Sequence, residues 1–305
     1  MKILDFEDHM GGFNSNLHNN ILDGIDSVSE TIVVTEYILD QIVKNNYRNI
    51  KFQFNLNFKQ RLFDTLSGYV NSNSAKINYK NFVCSFNGSP HVSRELLVSA
   101  LHKFGYFNSA YCSKNFISSI DVIDGHISHY VLDNDRLYRK FFINNDSNKF
   151  LQTVNSFDRS HFNDDFKTIF DHQSNVYNLE SKLAESFLHI VSETVATSYY
   201  PFVTEKFLYS VVTRGLFLAY AQPGWHKHIE KYYGFKLYTK LFDYTFDSIY
   251  NPVKRLVELM TMISKFHKLT YDELYDLYLM ELDTINYNYD HYYSKEYLKN
   301  LQYYE

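Results

Sequence analysis

Short apolar runs alternate with helical patterns through the first half of the chain. In order, these stretches are KILDF, ETIVVTEYILDQIVKNN, IKFQFNLNF and NFVCSFN. Alternation of this kind predicts an α/β fold, in which strands and helices pack in layers.

The clearest unit of that half begins at the run NFVCSFN. It predicts a strand that ends near Asn87, a Gly-Ser-Pro turn and a helix that Gly105 ends. The run SAYCSKN then predicts another strand. Residues 121–171 are richer in Asn, Asp and Ser and have weak periodicity, so we expect irregular structure and the crossover between the two halves there. The apolar face of the predicted helix consists of Val92, Leu96, Leu97, Ala100 and Leu101.

The second half has a sharper pattern. SFLHIVSET predicts a buried strand that ends at Glu193, and LFLAY predicts the next strand. Between them, Thr204 caps a predicted helix that Gly215 ends, and the three elements make a predicted βαβ unit. The apolar face of this helix consists of Phe207, Leu208, Val211 and Val212.

Further helices are predicted after that unit. QPG turns the chain into WHKHIEKYYG, and Asn251 and Pro252 open a long amphipathic helix. TYDELYDLYLMEL predicts one more helix before a Tyr-rich tail. His226 and His228 are two positions apart on a helix and point away from each other, so we expect rim residues there rather than a shared metal site.

Thr204, Glu205 and Lys206 lie where a βαβ unit gathers its ligands, at the carboxyl ends of its strands. A Lys at a helix N-terminus is unfavourable, because it adds positive charge to the positive end of the helix dipole. An anionic ligand such as a phosphate would make the interaction favourable. The two oxygens of a carboxylate can accept hydrogen bonds from the vicinal hydroxyls of a ribose. Glu205 and Lys206 together therefore favour a nucleoside diphosphate as the ligand. The alternative is that Glu205 is an ordinary first-turn acid and Lys206 a solvated side chain.

The residues around this pair resemble a known family. IVSET, FVTEKFLYSVVTRGLFLAYAQPGWHKHIEKYYGFKLY and FDSIYNPVKRLVELM are similar to the carboxyl-terminal half of glycosyltransferases of the GT-B type. The resemblance is to phage and bacterial glycosyltransferases with a recurring Thr-Glu-Lys helix, Pro-Gly turn, Gly-Phe strand and Tyr-Asp segment, and more remotely to fucosyltransferases and exostosins. With a weaker match at NFVCSFNGSPHVSRELLVSALHKFGYFNSAYCS, it covers roughly residues 80–115 and 187–268.

The resemblance implies an α/β fold of two Rossmann-like domains with a cleft between them, as in GT-B enzymes. Residues 1–150 would form the acceptor-side domain, and residues 151–285 the domain that binds the nucleotide-sugar. Residues 286–305 would be a Tyr-rich C-terminal tail.

The resemblance also implies roles at a donor site. Glu205 would hold the donor ribose, Lys206 the diphosphate, and Thr204 and Glu193 would line the same pocket. Arg94 would place its planar guanidinium on a phosphate from the opposite domain. Plainer alternatives remain, with Glu193 as a capping or surface acid and Arg94 as a solvated helix residue.

Gly224, in the Pro-Gly turn, completes the donor-side candidates as a turn residue whose importance is conformational. The chain departs from the family pattern at Phe207 and Leu208, where the group tends to have Thr and a Lys-Pro pair. It also has FDS where an acidic Glu-Ser-Tyr-Asp run is common. These departures leave the identity of the donor open.

Transfer of a sugar to a hydroxyl needs a group that takes the proton of that hydroxyl, and an inverting reaction uses a carboxylate or His. In glycosyltransferases of this type the group often follows an early strand of the first domain. DFEDHMGGFN follows the first predicted strand, and its Gly pair allows a ligand to come close to the backbone. We predict Asp8 as the base, with His9 second. The alternative is a polar loop with a turn-forming Gly pair.

Composition narrows the class of protein. The chain has 305 residues, 45% hydrophobic and 21% charged, as is typical of globular proteins. A net charge of −5 disfavours a broad nucleic-acid surface but leaves a local basic groove open. Cys84 and Cys112 indicate neither a disulfide framework nor a zinc site. No run approaches the about 18 apolar residues that span a bilayer, so we expect a soluble cytoplasmic protein without membrane insertion.

No Walker loop, GxGxxG or GxSxG motif occurs, which weakens NTPase, dehydrogenase and hydrolase interpretations. The residues and the resemblance together favour a glycosyltransferase that uses a nucleotide-sugar, such as a UDP- or GDP-sugar, without a metal or other cofactor. The acceptor hydroxyl belongs to a hydroxymethylated pyrimidine base in phage DNA or to a glycan. The alternative is a non-catalytic nucleotide- or partner-binding protein with the same fold.

Overall fold

The computed structural model describes residues 2–6, 30–35, 48–70, 78–87, 92–106, 109–114, 172–193, 196 and 201–302. Within these ranges the chain forms two parallel β-sheets with helices packed around them. The predicted crossover segment 121–171 lies outside the described residues.

The strands pair in parallel in both sheets. They are β1 (Lys2–Phe6), β2 (Thr31–Thr35), β3 (Ile50–Phe54), β4 (Asn81–Asn87), β5 (Ala110–Lys114), β6 (Ser186–Ser192) and β7 (Leu216–Tyr220). One sheet has the order β1-β2-β3, and the other has the order β5-β4-β6-β7. Every residue of β6 and β7 is buried, because a parallel strand is covered on both faces, and this explains their nearly continuous apolar sequence.

The described helices are short to medium in length. None of them is long and apolar enough to cross a membrane. Short 3-10 turns cover Glu205–Phe207 and Tyr244–Ser248, and a π turn over Ile229–Tyr233 extends the fifth helix. The helices are α1 (Leu56–Asp64), α2 (Val92–Lys103), α3 (His172–Ala184), α4 (Leu208–Val212), α5 (Trp225–His228), α6 (Pro252–Ile263), α7 (Tyr271–Met280), α8 (Leu282–Tyr293) and α9 (Glu296–Gln302).

The predicted start of α6 is confirmed in detail, and the helix predicted in TYDELYDLYLMEL is present as α7. The Asn251 side chain accepts a hydrogen bond from the Lys254 N–H, and Pro252 occupies the start of α6, where its missing N–H costs nothing. Thr270 and Glu273 form a reciprocal capping box at the start of α7.

The α/β class predicted from the alternation is confirmed in these residues. β4 and β5 come from the half of the chain that was predicted as the first domain, and they share one sheet with β6 and β7. In that sheet Val83 lies opposite Leu188. The predicted boundary at residue 150 falls outside the described ranges, and the division into domains stays a prediction.

A buried aromatic cluster connects α1 to the second half of the chain. The Phe63 ring stacks on Tyr233 at 5.6 Å between centroids and meets Tyr297 at 5.2 Å and Phe207 at 5.8 Å. The Tyr292 hydroxyl donates to the carbonyl oxygen of Phe63 at 2.6 Å. Phe207, one of the departures from the family pattern, is therefore a core residue.

The segment predicted as a Tyr-rich tail also contributes to this core. α8 continues through residue 286, and α9 follows it. Tyr292, Tyr297 and Leu301 are buried. Tyr292 and Tyr297 of this segment therefore pack against the rest of the chain, where they contact Phe63 of α1.

Candidate functional site

Five of the predicted site residues lie at the carboxyl edge of the second sheet. Glu193 directly follows β6 and is fully buried. Arg94 lies in the first turn of α2, the helix after β4, and is also buried. Glu205 and Lys206 lie in the 3-10 turn before α4, and Thr204 caps that turn. The sheet therefore gathers side chains that are more than a hundred positions apart in sequence.

The Glu193 carboxylate holds the chain around Thr204. Its Oε1 accepts the Thr204 N–H at 3.1 Å, and its Oε2 accepts the Thr204 hydroxyl at 2.6 Å. The Ser93 hydroxyl donates to the Glu193 carbonyl oxygen at 2.6 Å and ties the start of α2 to the end of β6. Glu193 therefore positions the loop that carries Glu205 and Lys206.

Lys206 is the most exposed charge of the cluster. Its ammonium donates to the Thr204 hydroxyl at 3.0 Å and lies 3.8 Å from both Glu193 Oε2 and Glu205 Oε1. The Lys206 side chain is 22% exposed, against 8% for Glu205 and none for Glu193. Lys206 is thus the charge that a ligand arriving from solvent meets first.

Burial shifts the pKa values of the two innermost charges. Burial lowers the pKa of the Arg94 guanidinium to about 10, against the opposing effect of Glu193 and Glu205, so Arg94 remains a cation at neutral pH. Burial raises the pKa of Glu193, although Lys206 and the hydrogen bonds from Thr204 act in the opposite direction. The pKa of each of these buried groups therefore depends on the charges around it.

The local structure at Lys206 differs from the prediction of a helix dipole. The segment is a three-residue 3-10 turn, Glu205–Phe207, followed by the five-residue helix α4. Aligned peptide dipoles over so few residues give a weak field at the N-terminus. Any attraction for an anion at this place must therefore come mainly from the Lys206 and Arg94 side chains.

Two polar residues at the same sheet edge were not found by sequence reasoning. Ser192 ends β6 and is 2% exposed, and Gln222 follows β7 and is fully buried. In the part of the chain that the structure describes, neither the Ser192 hydroxyl nor the Gln222 amide has a hydrogen-bond partner. The only sequence signal was the polar Gln between LFLAY and the Pro-Gly turn.

A second polar cluster lies beyond the end of β7. His226 Nδ1 lies 2.7 Å from Asp247 Oδ1, and His226 Nε2 accepts the Ala219 N–H at 3.0 Å. Since Nε2 accepts, the ring proton is on Nδ1 and is donated to Asp247. Asp247 also accepts the N–H groups of His226 and Lys227 and so caps α5. This set, the His226–Asp247 cluster, corrects the prediction that His226 is a rim residue.

Gly224 supports the same cluster through its backbone. Its N–H donates to the Asp247 carbonyl oxygen at 2.6 Å, and its φ of +78° is one that residues with a Cβ rarely adopt. Gly224 therefore has the conformational role that the sequence suggested.

His228 is buried as well, at 8% exposure, and not at a rim. Burial lowers its pKa to about 3, and the nearby Lys59 and Lys231 add to this shift. Lys59 itself is buried, donates to the Val203 carbonyl oxygen at 2.8 Å and lies over the Phe202 ring at 4.0 Å. α1 therefore contacts the loop that leads into Thr204.

The predicted catalytic residues Asp8 and His9 lie outside the described residues. Asp133, Asn134 and Asp135 do as well, and they form an Asp-x-Asp triplet of the kind that holds a metal-bound diphosphate in the other large glycosyltransferase class, so metal independence stays a prediction. Among the side chains that the structure describes, no group of three or more His, Cys, Asp or Glu is arranged to hold a metal ion.

Comparison of the chain with protein-family models, with curated proteins and with solved structures finds no match.

Proposed function

We propose that the protein is a glycosyltransferase that binds a nucleotide-sugar at the carboxyl edge of the second sheet. One observation carries this proposal: Arg94, Glu205 and Lys206 come together there from two strand–helix connections. Ligands of open parallel sheets bind at this edge, and a buried group of charges with one partly exposed cation is typical of a binding site.

Each charge has a part in this proposal. The guanidinium of Arg94 and the ammonium of Lys206 bind the two phosphates, since cations give strong charge-assisted hydrogen bonds to phosphate oxygens. Glu205 accepts hydrogen bonds from the ribose hydroxyls. Glu193 and Thr204 act on the ligand indirectly, because they fix the turn that carries Glu205 and Lys206.

The reaction itself rests on the sequence. Asp8, with His9 as second choice, takes the proton of the acceptor hydroxyl while the anomeric carbon passes from the diphosphate to that oxygen. The two-domain GT-B arrangement would place these residues across a cleft from the donor. The donor is a UDP- or GDP-sugar, and the acceptor is a hydroxymethylated pyrimidine in DNA or a glycan.

Thermal unfolding with a panel of nucleoside diphosphates and their sugars tests the donor site. A ligand at a hundred times its dissociation constant stabilises the folded protein by about 2.7 kcal/mol. We expect one nucleotide to raise the melting temperature of the wild type and of Glu258→Ala, an exposed Glu on α6, but not of Glu205→Ala. No shift with any nucleotide would remove the glycosyltransferase proposal.

A transfer assay separates catalysis from binding alone. Incubation of the best donor with hydroxymethylated DNA or with glycans should transfer sugar to one of them. If DNA is the acceptor, activity falls steeply with salt because binding releases counterions. Nucleotide binding without transfer to any acceptor would favour the non-catalytic alternative.

A further inference from the structure

Polar side chains lie at or just beyond the ends of three adjacent strands of the second sheet. Asn87 ends β4, Ser192 ends β6, and Gln222 lies two residues beyond the end of β7. They are 0%, 2% and 0% exposed. Three buried polar groups in a row at one edge of a sheet are unusual, because burial of a polar group is unfavourable without a hydrogen bond.

The hydrogen bonds of these residues differ. The Asn87 amide donates to the Ser85 hydroxyl at 3.2 Å and lies 3.7 Å from the Cys112 sulfur. Within the described ranges, the Ser192 hydroxyl and both polar atoms of the Gln222 side chain have no partner. Buried polar groups in folded proteins are nearly always paired, so these two residues call for a partner that the described ranges do not supply, and a bound ligand would supply it.

Ser192 and Gln222 are next to the charged cluster. Ser192 directly precedes Glu193 and is the register partner of Tyr220, and the Glu193 N–H donates to the Tyr220 carbonyl oxygen at 3.1 Å. Gln222 is two residues beyond Tyr220. Its carbonyl oxygen accepts the Trp225 N–H at 3.3 Å, so the turn fixes the backbone of Gln222. The polar residues and the charges thus share one edge.

We propose that Ser192 and Gln222 bind the nucleobase of the nucleotide whose phosphates Arg94 and Lys206 hold, an inference that rests on the proposed function. A carboxamide presents one donor and one acceptor side by side, and this pair matches the edge of a base at two points. The neutral amide suits a neutral group of the ligand. Tyr220, Ala221 and Trp225 beside it are buried, and such an apolar, aromatic environment favours a planar base over a hydroxylated sugar.

Base preference provides the test. Titration calorimetry with UDP, CDP, GDP and ADP gives the ratio between the tightest and weakest dissociation constants for the wild type, Gln222→Met and Ser192→Ala. We expect the wild type to prefer one base by about tenfold or more, the effect of one or two hydrogen bonds. Gln222→Met should bind all four like the weakest one, and Ser192→Ala should lose part of the preference. Gln302→Met, an exposed Gln at the end of α9, is the matched control.

Melting of the free proteins provides a second readout. Because the Gln222 amide has no partner among the residues that the structure describes, the apolar Met should leave the melting temperature unchanged or higher. A Gln222→Met protein that melts several degrees lower would mean that the amide is bonded in the free protein, and it would overturn the inference.

The outcomes separate this inference from the proposed function. A wild type that binds all four nucleotides equally, or a Gln222→Met variant that keeps the preference, overturns the base subsite and leaves the donor site in place. A wild type that binds none of them overturns the donor site, and the base subsite with it.

Discussion

Two buried polar clusters lie at the same sheet edge and differ in how they are satisfied. In the His226–Asp247 cluster, both ring nitrogens of His226 have partners, and Asp247 accepts from the ring and from the start of α5. In the charged cluster, Lys206 is partly open to solvent and lies 3.8 Å from each of its two carboxylates. The first is bonded within the fold, as a structural support is, and the second is the binding site that we propose.

The extent of internal hydrogen bonding distinguishes structural polar groups from candidate functional ones. A fully bonded buried network rigidifies the fold and has no capacity left for a ligand. A cluster with a partly exposed cation, next to buried side chains that find no partner among the described residues, costs stability that a bound ligand would recover. The two clusters should therefore respond to mutation in opposite ways.

The largest effect should come from Asp247→Ala. This change leaves the His226 ring N–H and the first N–H groups of α5 without their acceptor in a buried place, and each buried donor left unsatisfied costs about 1–3 kcal/mol. Urea denaturation measures the loss. Asp243→Ala, which removes the exposed cap of the 3-10 turn that carries Asp247, should cost about 1 kcal/mol. Equal losses in the two variants would contradict the structural role of the His226–Asp247 cluster.

Gly224→Ala should destabilise the same cluster by about 1–2 kcal/mol. The reason is the backbone alone, since φ is +78° and a Cβ there would meet nothing within 4 Å. Gly215→Ala is the control, because its φ is not positive and its Cβ would make ordinary contacts at 3.7 Å or more. Thermal unfolding of the two variants compares them. A stable Gly224→Ala protein would argue against the observed turn.

The two clusters should also differ in the sign of their pH dependence. Burial would raise the pKa of Asp247, but His226 and backbone N–H groups outweigh it, so the pKa lies below its ordinary value of 3.8. The stability that Asp247 contributes is then present above that value and lost as the pH falls through the lowered pKa. Burial raises the pKa of Glu193 above its ordinary value of 4.5, so the folded protein keeps this proton to a higher pH than the unfolded chain does. The stability of the fold therefore decreases as the pH rises from 4.5 through the raised pKa.

Unfolding free energies of wild type, Asp247→Asn and Glu193→Gln across acidic pH measure this difference. The wild type minus Asp247→Asn difference should rise with pH below about pH 4, and the wild type minus Glu193→Gln difference should fall above about pH 4.5. One titrating group gives at most about 1.4 kcal/mol per pH unit. Slopes of the same sign would contradict the assignment of the two carboxylates.

Much of the fold was predictable because it depends on local patterns. Strands β6 and β7 are apolar runs of a length that fits strands, and α6 and α7 begin with side-chain caps that can be read from a few adjacent residues. Thr204 was likewise predicted as a cap, and the structure places it so.

The rest depended on contacts between distant residues. Nothing near Phe207 in the sequence reveals that it meets Phe63, and nothing near His226 reveals Asp247, 21 positions away. The candidate site was partly predictable, because Glu205 and Lys206 are adjacent and charged. The proximity of Arg94 to them depends on β4 lying beside β6, an order that sequence periodicity does not contain.

Lys206→Met should have the smallest effect on stability. It is also the most direct test of phosphate binding at this edge of the sheet. A partly exposed ion pair contributes about 0–1 kcal/mol, so the unfolding free energy should barely change. The dissociation constant of the preferred nucleoside diphosphate should rise about ten- to a hundredfold, as expected for the loss of a charged hydrogen bond. Lys254→Met, which changes an exposed Lys in the first turn of α6, should bind like the wild type. Equal dissociation constants for Lys206→Met and Lys254→Met would contradict a phosphate-binding role for this edge of the sheet.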